Sequence, residues 1–206
     1  MQESPPCQLS FQNLYRSFGR LAVLRGVSGE VSTGQTLLVT GANGSGKSTL
    51  LKCLAGLMVP DRGEISYRQD NTQLDARERR LAIGYVAPDL SFYEELTVEE
   101  NLLFFARLRR TSEDRIGHLL ERVNLPPDRS AGTLSSGMLQ RLRWCFALLH
   151  QPRLLLLDEP FQNLDSPGQD ATRSLLEQHL DEGLAVTANP GLLELPHVAH
   201  HLQLAG

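Results

Sequence analysis

Eight residues constrain this chain more than any others: Gly41-Ala42-Asn43-Gly44-Ser45-Gly46-Lys47-Ser48. They match the pattern G-x-x-x-x-G-K-[ST]. Its glycines permit a tight loop whose main-chain N–H groups converge on one point, at the N-terminus of a following helix, where the dipole favours anions. Such a loop needs a strand to enter it and a helix to leave it. Residues 36–40, Thr-Leu-Leu-Val-Thr, read as a buried strand, and residues 49–57 as the helix. The octapeptide therefore predicts an α/β chain that holds phosphate. Gly41, Ala42, Asn43, Gly44, Ser45, Gly46 and Thr49 line the cradle, Lys47 places a point charge on the β- and γ-phosphates, and the Ser48 hydroxyl ligates Mg²⁺.

The rest of the chain keeps the α/β rhythm of short apolar runs and amphipathic stretches. Residues 83–86, 153–157 and 184–187 read as strands, and residues 98–110, 115–123, 136–150 and 168–180 as helices. Thr97, with Glu100 three residues on, forms a capping box at the first of these helices. The first 35 residues alternate more loosely and predict an antiparallel β layer over the core.

A second chemical signal ends one of the strands. Leu154-Leu155-Leu156-Leu157 is followed by Asp158-Glu159-Pro160. A wholly apolar strand belongs to a sheet covered on both faces. Its C-terminal end is where open parallel sheets bind ligands. There Asp158 serves as a metal ligand for Mg²⁺, and Glu159 as the catalytic base that orients an attacking water for in-line displacement. An acidic pair alone also serves as an ordinary cap; beside the phosphate loop it reads as catalytic.

Composition narrows the partners. The 206 residues suit one domain, or one domain with a subdomain, with a core that needs no disulfide. A net charge of −4 argues against capture of nucleic acid. Arginines cluster at Arg77, Arg79 and Arg80, at Arg107, Arg109 and Arg110, and at Arg141 and Arg143; solvated helix faces are the plain reading, a face near anionic lipid headgroups the sharper one. Cys7, Cys53 and Cys145 have no metal-ligand spacing. The opening residues show no targeting signal, and no apolar run reaches 18 residues. His197, His200 and His201 read as exposed polar residues rather than a metal or haem site.

Leu134-Ser135-Ser136-Gly137-Met138, followed by Gln140-Arg141, lies two dozen residues before Asp158. With the two motifs above, in that order, the chain resembles the ABC ATPase family along essentially its whole length. Gln162-Asn163-Leu164-Asp165 resembles the family's D-loop, and Phe18-Gly19 its adenine-stacking aromatic loop. The resemblance implies a P-loop NTPase (RecA-like) core with a mostly parallel sheet, an N-terminal antiparallel β layer and a helical subdomain inserted at about residues 89–145, all within one domain over residues 1–206. It implies ATP and Mg²⁺ as cofactors, and a head-to-tail homodimer in which Ser135 and Gly137 of one copy close on ATP held by the other. It also implies membrane-spanning transporter subunits as partners, at the cytoplasmic face of the membrane.

The chain departs from the family pattern at four places. Ser136 and Met138 replace a glycine and a glutamine. Pro88, in Tyr85-Val86-Ala87-Pro88-Asp89, stands where the family places its Q-loop glutamine and offers no amide, leaving Asp89 as a possible substitute. Asn189 stands where the family places its switch histidine and can donate a hydrogen bond but carry no charge. With Lys47, Ser48, Asp158 and Glu159 present, the expectation is slow hydrolysis rather than none. Phe92 and Tyr93 read either as contacts for a membrane subunit's coupling helix or as subdomain core. Residues 87–89, residues 134–138 and Asn189 together resemble the ATP-binding subunit of the haem exporter of cytochrome c maturation, while drug, polysaccharide and ABC-2-type exporters share most of the pattern. A non-transport ATPase acting on nucleic acid or ribosomes is disfavoured by the acidic balance, and a regulatory ATP-binding module with lost catalysis stays open.

Overall fold

Every residue of the runs Leu154–Asp158 and Thr36–Thr40 is buried, which requires cover on both faces of their sheet. The computed structural model describes residues 6–192 and 194–204; residues 1–5, part of the stretch read for a targeting signal, lie outside them. In chain order the elements are β1 (Cys7–Phe18), β2 (Leu21–Ser32), β3 (Thr36–Thr40), α1 (Lys47–Leu54), β4 (Arg62–Gln69), β5 (Thr72–Gln73), α2 (Ala76–Ala82), β6 (Ile83–Val86), α3 (Val98–Arg109), α4 (Arg115–Arg122), α5 (Ser136–Leu148), β7 (Leu154–Asp158), α6 (Ser166–Leu180), β8 (Leu184–Asn189) and β9 (Val198–Gln203).

The central sheet is parallel, in the order β6-β7-β8-β3-β9. Its side chains alternate between two cores, as strand geometry demands. Leu155 and Leu157 of β7 join one core with Val98, Leu102, Leu119, Trp144 and Leu176, under the helical layer of α3 to α6. Leu154 and Leu156 join the other, with Leu50, Leu51 and Leu54 of α1. That second core is closed by a four-stranded antiparallel sheet, β2-β1-β4-β5, through Leu9, Phe11, Leu14, Leu24, Val31 and Tyr67. Helix α1 is thus sandwiched between two sheets. The expected antiparallel layer is present, but β4, which no sequence signal marked, completes it against β1.

Several boundaries move for local reasons. Helix α1 runs from Lys47 to Leu54 rather than over residues 49–57, because Gly46 adopts φ 100° as its N-cap and places Lys47 and Ser48 in the first turn. The capping box at α3 forms as expected: Thr97 Oγ1 accepts from Glu100 N at 3.1 Å and Glu100 Oε2 from Thr97 N at 2.8 Å. The arginines do not all lie on solvated faces. Arg77, Arg107 and Arg110 are exposed, but Arg109 donates to the His150 ring, Arg141 pairs with Asp165, and Arg143 is half-buried among main-chain carbonyls. Phe92 packs edge-on against Phe105 and Phe146, at 6.2 and 5.9 Å, whereas Tyr93 is largely exposed. His197, His200 and His201 are exposed, and the His201 ring contacts Thr40 Oγ1 at 2.7 Å. Among the described residues no helix is long and apolar enough to cross a membrane.

Candidate nucleotide site

Three neighbouring strands end together. Register pairs Thr40 with Asn189 and Asp158 with Ala188, so the loop after β3, the end of β8 and the acidic pair of β7 share one edge of the sheet. Adjacent strands stand about 4.8 Å apart, which puts the phosphate loop and Asp158 about 10 Å apart at their strands, within side-chain reach.

The loop itself is closely packed. A β-carbon at Gly41 would stand 2.5 Å from Ser45 Oγ and 2.7 Å from Leu204 O, and one at Gly46 would stand 2.7 Å from Val23 Cγ1. Lys47 is buried, and its Nζ donates to Gly41 O at 2.8 Å and Ala42 O at 2.9 Å. Its ammonium thus closes on carbonyls of the loop's own first two residues. Ser45 Oγ is buried with no hydrogen-bond partner among the described residues.

A cavity of about 280 Å³ gathers Asn43, Gly44, Gly46, Lys47, Ser48, Thr49 and Glu159, with Val23 of β2 as an added wall. Asp158, next to Glu159 in the chain, is buried. Burial pushes its pKa up, the nearby Ser48 hydroxyl pulls the other way, and the Glu159 charge adds to the rise. A hydroxyl and a carboxylate near one another, with a second carboxylate beside them, form a hard oxygen set. Such a set fits Mg²⁺ shared with substrate phosphates. Glu159 itself sits at φ 47°, uncommon for a residue with a side chain. Its N–H donates to Ala188 O at 2.9 Å, and its carbonyl accepts from the buried Gln140 amide at 3.3 Å.

The other expected residues lie outside this cavity. Phe18 ends β1 with its ring largely exposed beneath the Arg16 guanidinium, 5.1 Å away. Ser135 caps α5, its Oγ accepting from Met138 N at 3.3 Å. A β-carbon at Gly137 would meet Asn163 O at 2.6 Å, so the signature turn packs on the 162–165 loop of its own chain. Asn189 Nδ2 donates to Gly191 O at 2.9 Å, which engages the amide in a local turn. Asp89 pairs with Lys52 at 2.8 Å, and its charge adds to the rise of the Asp158 pKa. Sequence reasoning missed Val23, because only the antiparallel sheet brings it here. Gln140 is legible in the sequence only as part of a motif, because nothing linear ties that side chain to Glu159.

Comparisons with known proteins bear on the family and the fold. A family model described as ABC transporter matches residues 24–162. The sulfate/thiosulfate import ATP-binding protein CysA of Synechocystis sp. is 36% identical over 82% of this chain and 49% of its own length. The Fe(3+) ions import ATP-binding protein FbpC 1 of Rhodococcus jostii is 36% identical over 87% of this chain and 53% of its own. The chain thus spans about half the length of these curated relatives. A solved ATP-binding subunit of an ABC transporter superposes with TM-score 0.76 at 31% identity, covering 87% of this chain and 79% of that one. A putative ABC transporter ATP-binding protein from Pyrococcus furiosus gives TM-score 0.81 at 23% identity, over 96% of this chain and 97% of that one, and so shares the fold. The α/β architecture of a P-loop ATPase, the phosphate loop facing an acidic strand end and the family match together place this chain in the ABC transporter family, as one of its ATP-binding domains.

Proposed function

We propose that the chain hydrolyses ATP and drives a transporter whose membrane-spanning subunits are separate chains. One observation carries the reading: the Lys47–Ser48 helix start and the Asp158–Glu159 strand end meet at one edge of the sheet, with Lys47, Ser48 and Glu159 all on the wall of the phosphate cavity. In this reading the residue 41–49 amides and Lys47 hold the triphosphate, Phe18 meets the adenine, and Glu159 takes the proton of the attacking water. Ser48 and Asp158 would hold Mg²⁺, which neutralises phosphate charge when bound. Ser135 and Gly137 act from a second copy of the chain, with α5 aiming its N-terminus at the γ-phosphate. The work is done at the cytoplasmic face of a membrane, without nucleic acid.

Turnover is slow in this reading, because Pro88 offers no amide and the Asn189 amide is held by Gly191. Steady-state ATPase rates decide it. Glu159→Gln lowers kcat by about 10²-fold or more, the usual worth of a positioned general base, and Lys47→Ala weakens nucleotide binding at least tenfold. A wild-type rate equal to that of Glu159→Gln would make the chain a binding module without turnover.

For cargo, the pattern of residues 87–89, residues 134–138 and Asn189 supports export, on the lines of the haem exporter of cytochrome c maturation. The import names of CysA and FbpC support the opposite direction. Co-purified membrane subunits, reconstituted in vesicles and assayed for haem efflux against sulfate or Fe(3+) uptake, separate the two.

A further inference from the structure

We infer that Arg143 is a positioning residue for this proposed hydrolysis, tying the loop at Pro88 to the main chain of Glu159. The inference rests on the reading of Glu159 as the base, and the geometry supplies the rest. Arg143 projects from α5 and donates three ways: Nη2 to Pro88 O at 2.6 Å, Nε to Leu90 O at 3.1 Å, and Nη1 to Gln140 Oε1 at 3.1 Å. The third bond fixes the orientation of the Gln140 amide. With its oxygen on Arg143, its NH₂ must face the other way, and it donates to Glu159 O at 3.3 Å and Pro160 O at 2.9 Å. Gln140 is buried, and Trp144 Nε1 adds a bond to the same Pro160 carbonyl at 2.9 Å. Glu159, held at φ 47°, is therefore fixed from both sides, by Gln140 at its carbonyl and Ala188 at its N–H.

The far end of the strut is the loop that carries Asp89, itself paired with Lys52 of α1. Ala87, Asp89 and Leu90 line a groove of about 430 Å³ together with Tyr85, Arg109 and Phe146. A shift of this loop reaches α1, and so the phosphate loop, through Lys52, and reaches Glu159 through Arg143 and Gln140. The guanidinium thus grips two main-chain carbonyls of the loop from α5.

The test uses the full chain as wild type, Arg143→Met, Arg143→Lys, Glu159→Gln and the Arg143→Met/Glu159→Gln double variant. Melting temperature, MgATP dissociation constant, kcat and amide hydrogen exchange over residues 159–162 are compared. Methionine keeps the aliphatic stem and removes the donors. The expected result is a fall in kcat of about tenfold with the dissociation constant unchanged within about twofold, faster exchange at the Glu159 and Gln162 amides, and partial recovery with lysine. Because Arg143 acts through Glu159, Arg143→Met costs nothing further in the Glu159→Gln background. An unchanged kcat, a parallel loss of ATP affinity, or an additive loss in the double variant overturns the proposal. If the wild type hydrolyses no ATP, it is the function that fails, and the exchange comparison still decides the strut: unchanged protection at residues 159–162 in Arg143→Met removes it. If Arg143→Met does not fold, Arg143→Lys carries the same comparison: a smaller fall in kcat together with faster exchange at residues 159–162 is expected, and wild-type values of both, or a loss in kcat without a loss in exchange protection, overturns the proposal.

Discussion

His150 and His179 carry the clearest pH dependence at the scale of single residues. His150 Nε2 donates to Ile83 O at 3.0 Å, so its Nδ1 is left to accept from Arg109 Nη1 at 3.1 Å. Only the neutral ring can do both. Burial, and for His150 the Arg109 charge, pushes the pKa down to about 4; for His179 burial does the same against the pull of the Leu184 carbonyl. The folded chain therefore binds fewer protons than the unfolded chain between pH 6.5 and about 4. The stability due to neutral imidazole is complete above pH 6.5 and is lost as pH falls through that window, with a slope of up to about 1.4 kcal/mol per pH unit for each ring. Urea midpoints at pH 7 and pH 5 should differ in the wild type, differ by less in each of His150→Gln and His179→Gln, and converge in the double variant; an equal drop in all four would place the dependence elsewhere. Nothing in the sequence singles these two out from His197, His200 and His201, because burial separates them and burial is not a local property.

At the scale of elements, legibility followed periodicity and caps. Helix α3 was readable from Thr97 and Glu100 before any packing was known, and both reciprocal bonds form. Thr97→Ala should lower stability by about 1 kcal/mol, read as a lower urea midpoint at constant slope; an unchanged midpoint would mean that the buried Asn101 alone holds this turn, through its bonds to Tyr93, Leu96 and Thr97. By contrast, α2 buries none of its residues, and β9 exposes all but one, which is half-buried. Neither can show an amphipathic pattern. Helix α2 has a capping box between Asp75 and Glu78, while β9 becomes a strand through its pairing with β3.

At the scale of the molecule, the single chain presents half of the proposed chemistry on each of two surfaces. The phosphate cavity contains neither Ser135 nor Gly137, and the signature turn packs on its own 162–165 loop. Glu159→Gln with MgATP should therefore sediment as a dimer and return to monomer without nucleotide, and adding Ser135→Arg should abolish the shift; a monomer under both conditions would refute the head-to-tail arrangement. The phosphate loop, the buried strand with its acidic end and the α/β alternation were all determined by the sequence, since each is a short-range code of glycine conformation, charge and burial period. Only the tertiary structure decided that Val23 walls the cavity, that the Asn189 amide is engaged by Gly191, and that Arg143 and Gln140 hold the backbone of Glu159. Val23 and the Arg143–Gln140–Glu159 contacts join residues far apart in the chain, and the polar ones among these, like the Asn189 bond, run through main-chain carbonyls whose positions no side-chain pattern encodes.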